Sequence, residues 1–331
     1  MAATLEGHEE RVWHVSWSPD GLLLATASSD RTVRIWQERS DGVWSEVSRL
    51  EDAHDRTIRC VEWSYCGKMV ALASFDATVT IWSKRVEGAT LEWELVSTLE
   101  GHENEVKGVA WNAGSTHLAT CARDKSIWLW DLEENLQFEL LTVLHGHAAD
   151  VKAVVFDINE ESSTYGDLAS ASYDETVKLW TSDGDDDWIC YATLEGHTNT
   201  VWDLRFYYLR GETSSLLFTA SADMSICAWK RQKKQEDDEV HYEPLSTFAK
   251  AHRRPVYSLD VTTDNGHVLV ATAAGDNAIR LFRFSDSFDP LLTSPGAHTA
   301  DVNCVRFNPQ QTGLLASASD DGSVKVFRWF S

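Results

Sequence analysis

Basic charge is what this sequence lacks most. Lys and Arg number 29 against 52 Asp and Glu, for a net charge of −23. That balance argues against direct nucleic-acid binding, which needs an extended basic surface for phosphate contacts. It favours selective protein partners instead. Long apolar runs are also missing, and no stretch reaches the roughly 18 residues of a membrane span. The opening Met1-Ala2-Ala3-Thr4-Leu5-Glu6 has neither a basic start nor an apolar stretch, which argues against a secretory signal. Cys60, Cys66, Cys121, Cys190, Cys227 and Cys304 never form Cys-x-x-Cys, so the ligand spacing of a metal or cluster site is wanting. They lie mostly in apolar strand patterns, as small buried hydrophobes in a reducing compartment. Helix caps and 3.6-residue periodicity are absent throughout. Neither a cofactor nor a metal is expected.

What is present is a repeat. Gly7-His8, Ala53-His54, Gly101-His102, Gly146-His147, Gly196-His197, Ala251-His252 and Ala297-His298 follow one another at 46, 48, 45, 50, 55 and 46 residues. An Asp lies 22 to 27 residues after each His, and a Trp or Phe six residues after the Asp. A unit of this length cannot bury its apolar face alone and must stack on its neighbours. Seven units leave nothing over for a separate fold, so a single domain over 1–331 is expected. Its units lie near 8–50, 54–99, 102–144, 147–194, 197–248, 252–295, and 298–331 with 1–6.

The first unit shows what each one builds. Arg11 to Trp17 alternates apolar and polar residues, as a half-buried strand does. Ser18-Pro19-Asp20-Gly21 is turn chemistry. Leu22 to Ser28 is apolar enough for a strand buried on both faces, Ser29-Asp30-Arg31 makes a tight turn, and Thr32 to Trp36 and Trp44 to Leu50 read as third and fourth strands. Four antiparallel strands, seven times over, describe an all-β seven-bladed β-propeller. Ala3 to His8 matches the last strand before each later His, while Ser323 to Trp329 is only a third strand. The amino-terminal strand is therefore expected to complete blade seven and cover its edge. The charged runs Asp183 to Asp187 and Glu236 to Glu239, the latter after Lys230, Arg231, Lys233 and Lys234, read as solvated loops.

The recurring His, Ser, Asp and Trp resemble catalytic groups but repeat in blade after blade. The sets are His8, Ser28, Asp30, Trp36; His54, Ser74, Asp76, Trp82; His147, Ser172, Asp174, Trp180; and His197, Ser221, Asp223, Trp229. A catalytic site needs one copy in one cleft, so these are expected to be buried hydrogen-bonded braces, and the protein no enzyme. Ala122 in blade three, Ala274 and Phe282 in blade six, and Phe327 in blade seven break the pattern, which predicts looser blades there.

Specificity then belongs to positions that differ between blades. The residues before the turn Asp include Phe75, Arg123 and Tyr173; those second in the first strand are Trp13, Arg59, Lys107, Lys152, Trp202, Tyr257 and Asn303; Arg11 lies two residues earlier than Trp13. Arg59, Lys107, Arg123 and Lys152 form a basic patch with Phe75 and Tyr173 alongside, and Trp202, Tyr257 and Trp13 continue the aromatic run. Aromatics interleaved with cations have the composition of interface hot spots, and a basic spot on an acidic body steers an acidic partner. The plainer alternative is solvated cations at strand starts.

Ser74-Phe75-Asp76-Ala77-Thr78-Val79, Leu118-Ala119-Thr120-Cys121-Ala122-Arg123-Asp124-Lys125-Ser126 and Ser170-Ala171-Ser172-Tyr173-Asp174-Glu175-Thr176-Val177-Lys178-Leu179 carry a closer resemblance. So do the segments 98–107 and 301–305. They resemble the WD-repeat subunit of the cytosolic iron–sulfur cluster assembly targeting machinery. The resemblance is weaker in blade six and in the loops 157–167 and 207–215, which look like lineage-specific hairpins. It implies a non-catalytic adaptor that helps hand clusters to cytosolic and nuclear apo-proteins without holding them. The implied partners are a MIP18-type subunit, a HEAT-repeat scaffold, an iron-only-hydrogenase-like cluster carrier and apo iron–sulfur clients. The implied location is cytoplasmic, with the nucleus as a second compartment. A functionally sensitive rim Arg of that family matches Arg123. Two rivals are a ubiquitin-ligase substrate receptor and a chromatin or peptide reader. Trp130-Asp131-Leu132-Glu133 lacks the Arg, and Trp82-Ser83-Lys84-Arg85 the Asp, of the Trp-Asp-x-Arg that the first often carries. A basic rim is opposite to what the second favours.

Overall fold

The computed structural model describes residues 3–87, 90–184, 187–233 and 240–328. In it the first repeat forms strands Val12–Trp17, Leu23–Ser28, Val33–Glu38 and Trp44–Leu50. They pair as antiparallel neighbours in chain order, and six further four-stranded sheets accompany them. Second strands such as Leu23–Ser28, Met69–Ser74 and Leu314–Ser319 are buried along their whole length, which is why they read as unbroken apolar runs. Seven apolar clusters fill the gaps between sheets, each drawing on two adjacent blades. Leu23 and Ile35 of blade one, for example, pack with Ile58 and Val61 of blade two. No blade completes a core by itself. No helix among the described residues is long and apolar enough to cross a membrane.

Blade seven takes its fourth strand from the other end of the chain. Ala3–Leu5 runs antiparallel to Val324–Arg328, with Ala3 opposite Val326 and Leu5 opposite Val324. Trp329, expected to end that third strand, lies outside the described residues, as do 185–186 and 234–239 of the charged loops.

The His–Asp–hydroxyl part of the brace is present in all seven blades and ends on a Trp in blades one to five, while Phe282 and Phe327 leave blades six and seven without the indole bond; one member needs correction. His8 Nδ1 donates to Asp30 at 2.7 Å, and its Nε2 lies 2.8 Å from Thr26 Oγ1, which also accepts the Trp36 indole N–H at 3.0 Å. The hydroxyl that links His to Trp is thus Thr26 rather than Ser28. Cross-strand register is the reason: Trp36 lies opposite Leu24, so its ring reaches Thr26 and not the turn. Ser28 instead donates to the Arg11 carbonyl at 2.9 Å and accepts the Asp30 N–H at 3.1 Å. Ser170 and Thr219 take the bridging place in blades four and five, so Ser172 and Ser221 likewise hold turns. In blade two Leu72 occupies that place, and Thr80 of the third strand bonds both His54 and Trp82 instead, leaving Ser74 at the turn. Blade three is also tighter than its Ala122 suggested, because Thr120 joins His102 to Trp130 at 2.9 and 3.0 Å.

Blade six is the simpler one. Asp76 accepts from His54, from two backbone N–H groups and from the Thr78 hydroxyl. Asp276 has the matching His252 and backbone donors and an Arg280 guanidinium 3.6 Å away that partly makes up the loss, but Ala278 stands where Thr78 would donate. A hydrogen bond to a charged group contributes about 1.5–3 kcal/mol. Asp76→Ala should therefore destabilise by roughly 1 kcal/mol more than Asp276→Ala in denaturant unfolding. Equal losses would contradict the ranking.

The insertions 157–167 and 207–215 are not separate hairpins. Ser163 N–H donates to the Thr213 carbonyl at 3.0 Å, and buried Asp157 accepts from Ser162, Thr164 and Ser215 at 2.6–3.0 Å. They tie blades four and five together.

Candidate partner-binding face and the central channel

One irregularity in the strands builds the site. In every blade the pairing of first and second strands slips by one residue after the opening apolar position, as between Val12 and His14, Ile58 and Cys60, and Val106 and Gly108. The residue passed over is Trp13, Arg59, Lys107, Lys152, Trp202, Tyr257 or Asn303. A bulge leaves its extra residue unpaired and re-aims the side chain, and all seven line the mouth of the central channel.

At that mouth cations lie over rings. Arg59 is 5.0 Å from the Trp13 ring, Lys107 4.1 Å from Phe75, and Lys152 5.2 and 5.1 Å from Tyr173 and Trp202. Trp202 meets Tyr257 edge-on at 5.3 Å. Neither Arg59 nor Lys107 makes an ion pair among the described residues, whereas Lys152 reaches Asp150 at 3.2 Å. Burial, then the neighbouring Lys152, pull the Lys107 ammonium down to about 8. The Trp13 indole donates to Ser29 at 2.8 Å, but the buried Trp202 N–H has no acceptor among the described residues. Two cations without an ion pair among the described residues, Arg59 and Lys107, and a donor without an acceptor thus surround an opening that also holds Asp301 and Asp320.

Arg123 stands outside this inner ring. Its side chain is 56% exposed, with the guanidinium 3.4 Å from Glu105, whose other carboxylate oxygen Arg56 approaches at 3.3 Å. Arg56, also exposed, donates to the Phe75 carbonyl at 2.6 Å and belongs to the patch. Sequence reasoning missed it because it lies in the loop before the strand, outside the three repeating positions compared. The Glu105 backbone N–H first, then Lys107, Arg56 and Arg123, hold the Glu105 carboxylate below its usual range. Such exposed pairs are weak, so a second carboxylate can share either guanidinium. Arg11 lies beside Asp320, at 3.7 Å, and lines the same opening as Arg59.

The comparisons agree with the geometry. The family model for the WD domain, G-beta repeat, matches residues 1–37, 44–83, 93–131, 138–181, 188–230, 242–283 and 289–328. Three yeast proteins, each named probable cytosolic iron-sulfur protein assembly protein 1, align almost end to end. The one from Candida glabrata is 36% identical over 99% of this chain and 98% of its own length. That of Scheffersomyces stipitis is 32% identical over 99% of both, and that of Candida albicans 31% over 98% of both. The chain belongs to the cytosolic iron–sulfur protein assembly protein 1 family of WD-repeat propellers.

In this family member the channel below the mouth holds a charge network that sequence reasoning overlooked. Arg306 bonds Asp203 at 3.2 Å, Ser258 at 2.9 Å, the Leu259 carbonyl at 3.1 Å and His14 Nε2 at 3.1 Å. Arg205 lies 3.4 Å from Asp203, 3.5 Å from Asp260 and 3.9 Å from Glu62. His14, Cys60 and Glu62 bring ligand-type atoms within 4.8 Å of one another. They do not suit a metal: His14 donates one nitrogen to the Val61 carbonyl and faces Arg306 with the other. Burial also pushes the Cys60 thiol up to about 12. The signal lay in the first strands, where Ser16, Glu62, Arg205, Asp260 and Arg306 share one position and His14, Asp203 and Ser258 another.

Proposed function

We propose that this chain is a non-catalytic adaptor of cytosolic iron–sulfur protein assembly that receives acidic groups of a client or partner at its channel mouth. The observation that carries the proposal is the opening ringed by Arg59, Lys107 and Lys152, framed by Phe75, Tyr173, Trp202, Tyr257 and Trp13. Arg123 and Arg56 extend it outward. The carboxylate enters among the cations, where desolvated charge-assisted bonds are strong. An apolar or aromatic side chain beside it packs on Phe75, Tyr173 or Trp202, large faces of the kind that dominate interface energetics. The names of the relatives support the assembly role. On that reading the partners are a MIP18-type subunit, a HEAT-repeat scaffold, an iron-only-hydrogenase-like carrier and apo clients, met in the cytoplasm and nucleus.

Arg123→Glu tests this without disturbing the core, since the side chain is exposed. Charge reversal beside Glu105 should weaken recovery of an apo iron–sulfur client by about tenfold or more and lower its cluster loading in cells. Unchanged recovery and loading would rule the proposal out.

A further inference from the structure

The gap between blades six and seven is filled differently from the other six. Near its end, each outer strand sets one residue opposite an aliphatic residue at the start of the third strand. Six blades place a large apolar group there: Leu5, Leu50, Leu99, Leu144, Leu194 and Phe248. The five leucines are at most 5% exposed, and each packs into the cluster shared with the next blade. Blade six has Ser294 instead, opposite Ile279. Across the same gap, blade seven sets Phe327 opposite Leu315, where blade one sets Trp36 opposite Leu24. A hydroxymethyl in place of an isobutyl group and a phenyl in place of an indole leave a groove of about 460 Å³. Pockets that hold ligands run from about 300 to 1,000 Å³.

The walls of this groove are apolar, and its charges are of one sign. Ile279, Leu281, Leu292, Leu315 and Phe327 line it, and Leu292 is 53% exposed. Lys325 and Arg328 are the charged residues of the lining, with no carboxylate beside them among the described residues. Lys325 donates to the Ala297 carbonyl at 2.8 Å and makes no ion pair among the described residues. Arg328 reaches Glu38 at 3.3 Å, a surface pair of the weak kind that a second carboxylate can share. On a chain of net charge −23, two cations around an apolar groove favour an acidic occupant.

We propose that this groove docks a partner protein through a leucine set between acidic residues. The leucine fills the space that Ser294 leaves open, against Ile279, Leu281 and Phe327, and the flanking carboxylates meet Lys325 and Arg328. An uncharged apolar segment would leave both cations unused, and an acidic segment without the leucine would leave the aliphatic walls in water. The groove shares no lining residue with the channel mouth, so the proposal is independent of what that mouth receives.

The test titrates the full chain calorimetrically with acetyl-Gly-Glu-Asp-Leu-Asp-Glu-Gly-amide. Two further peptides carry Ala for Leu, or Gln and Asn for the acids. The Ala peptide should bind about tenfold more weakly, the effect of one buried isobutyl group. The neutral peptide should bind about fivefold more weakly, a difference that shrinks as salt is added. Ser294→Leu, which supplies the side chain of the other gaps, should weaken binding at least tenfold while raising the melting temperature by about 2 °C, so that lost binding is not lost folding. Phe327→Trp is a second filling variant with the same expected effect should Ser294→Leu fail to fold. Lys325→Gln should weaken the acidic peptide about threefold and leave the neutral one unchanged. Equal affinity for the Leu and Ala peptides would overturn the proposal, as would undiminished binding to a filled groove. So would a chain ending at Arg328 that binds the peptide tenfold more tightly, since the groove would then belong to the chain's own Trp329-Phe330-Ser331. A dimer that Ser294→Leu dissolves would give it to a second copy and equally overturn the proposal.

Discussion

Asp203→Ala should destabilise the whole ring by about 3–5 kcal/mol, the cost of leaving a buried guanidinium without its counter-charge. Asp203 is 4% exposed in the first strand of blade five. One carboxylate oxygen accepts from Ser258 Oγ at 2.8 Å, the Leu259 N–H at 3.2 Å and Arg306 at 3.2 Å; the other accepts from the Leu204 N–H at 2.9 Å and Arg205 at 3.4 Å. A single side chain thus joins blades five, six and seven across the channel. Burial alone would raise its pKa, but Arg205, Arg306 and the Ser258 hydroxyl outweigh that and hold it at about 2. The sign follows. A carboxyl whose folded pKa is depressed contributes stability above its unfolded value near 4, and that contribution is lost as pH falls towards 2. Guanidinium unfolding should therefore show the parent's advantage over Asp203→Ala in full at pH 7 and shrinking below pH 4. A loss under about 1 kcal/mol, or one independent of pH, would show that water or the neighbouring Glu62 and Asp260 replace the carboxylate.

The fold was legible because the repeat states it seven times. Strand limits in the first blade fall within about two residues of those inferred from alternation, and closure followed from an unmatched third strand at one end and a matching strand at the other. What stayed hidden depended on register. Thr26 and Ser28 lie on the same face of one strand, and the pattern alone ranks them equally; only the pairing of Leu24 with Trp36 selects Thr26. The substitution of Thr80 for the missing hydroxyl at Leu72 is a cross-strand exchange that no single-strand pattern reveals.

The candidate site was legible in composition but not in tiers. Comparing equivalent positions across blades found the seven mouth residues, since the bulge that aims them recurs in every blade. Arg123 came with them although it pairs with Glu105 on the outer rim. The channel network escaped notice because its members are far apart in sequence: Arg306 and His14 are separated by 292 residues and meet only when the ring shuts. Closure therefore completes the channel network as well as the last blade.

Deleting residues 1–6 should accordingly cost more than one short strand suggests. Leu5 is 4% exposed and packs with Val12, Trp17, Leu24, Val324 and Val326 in the cluster that joins blade seven to blade one. Truncating such a side chain to Ala costs about 2–5 kcal/mol, and Leu5→Ala isolates that share. The deletion also removes the ladder to Val324–Arg328 and leaves it as an open edge, ready to pair with another chain. The seam it opens is the one crossed by the Arg306–His14 bond and by Asn303 Nδ2, which donates to the Val12 carbonyl at 2.9 Å. The truncated chain should melt on the order of 10 °C lower, below Leu5→Ala, and should self-associate on sedimentation. If it melts with the parent, the amino-terminal strand does not fasten the ring. If it melts with Leu5→Ala, the side chain rather than the strand pairing closes the propeller.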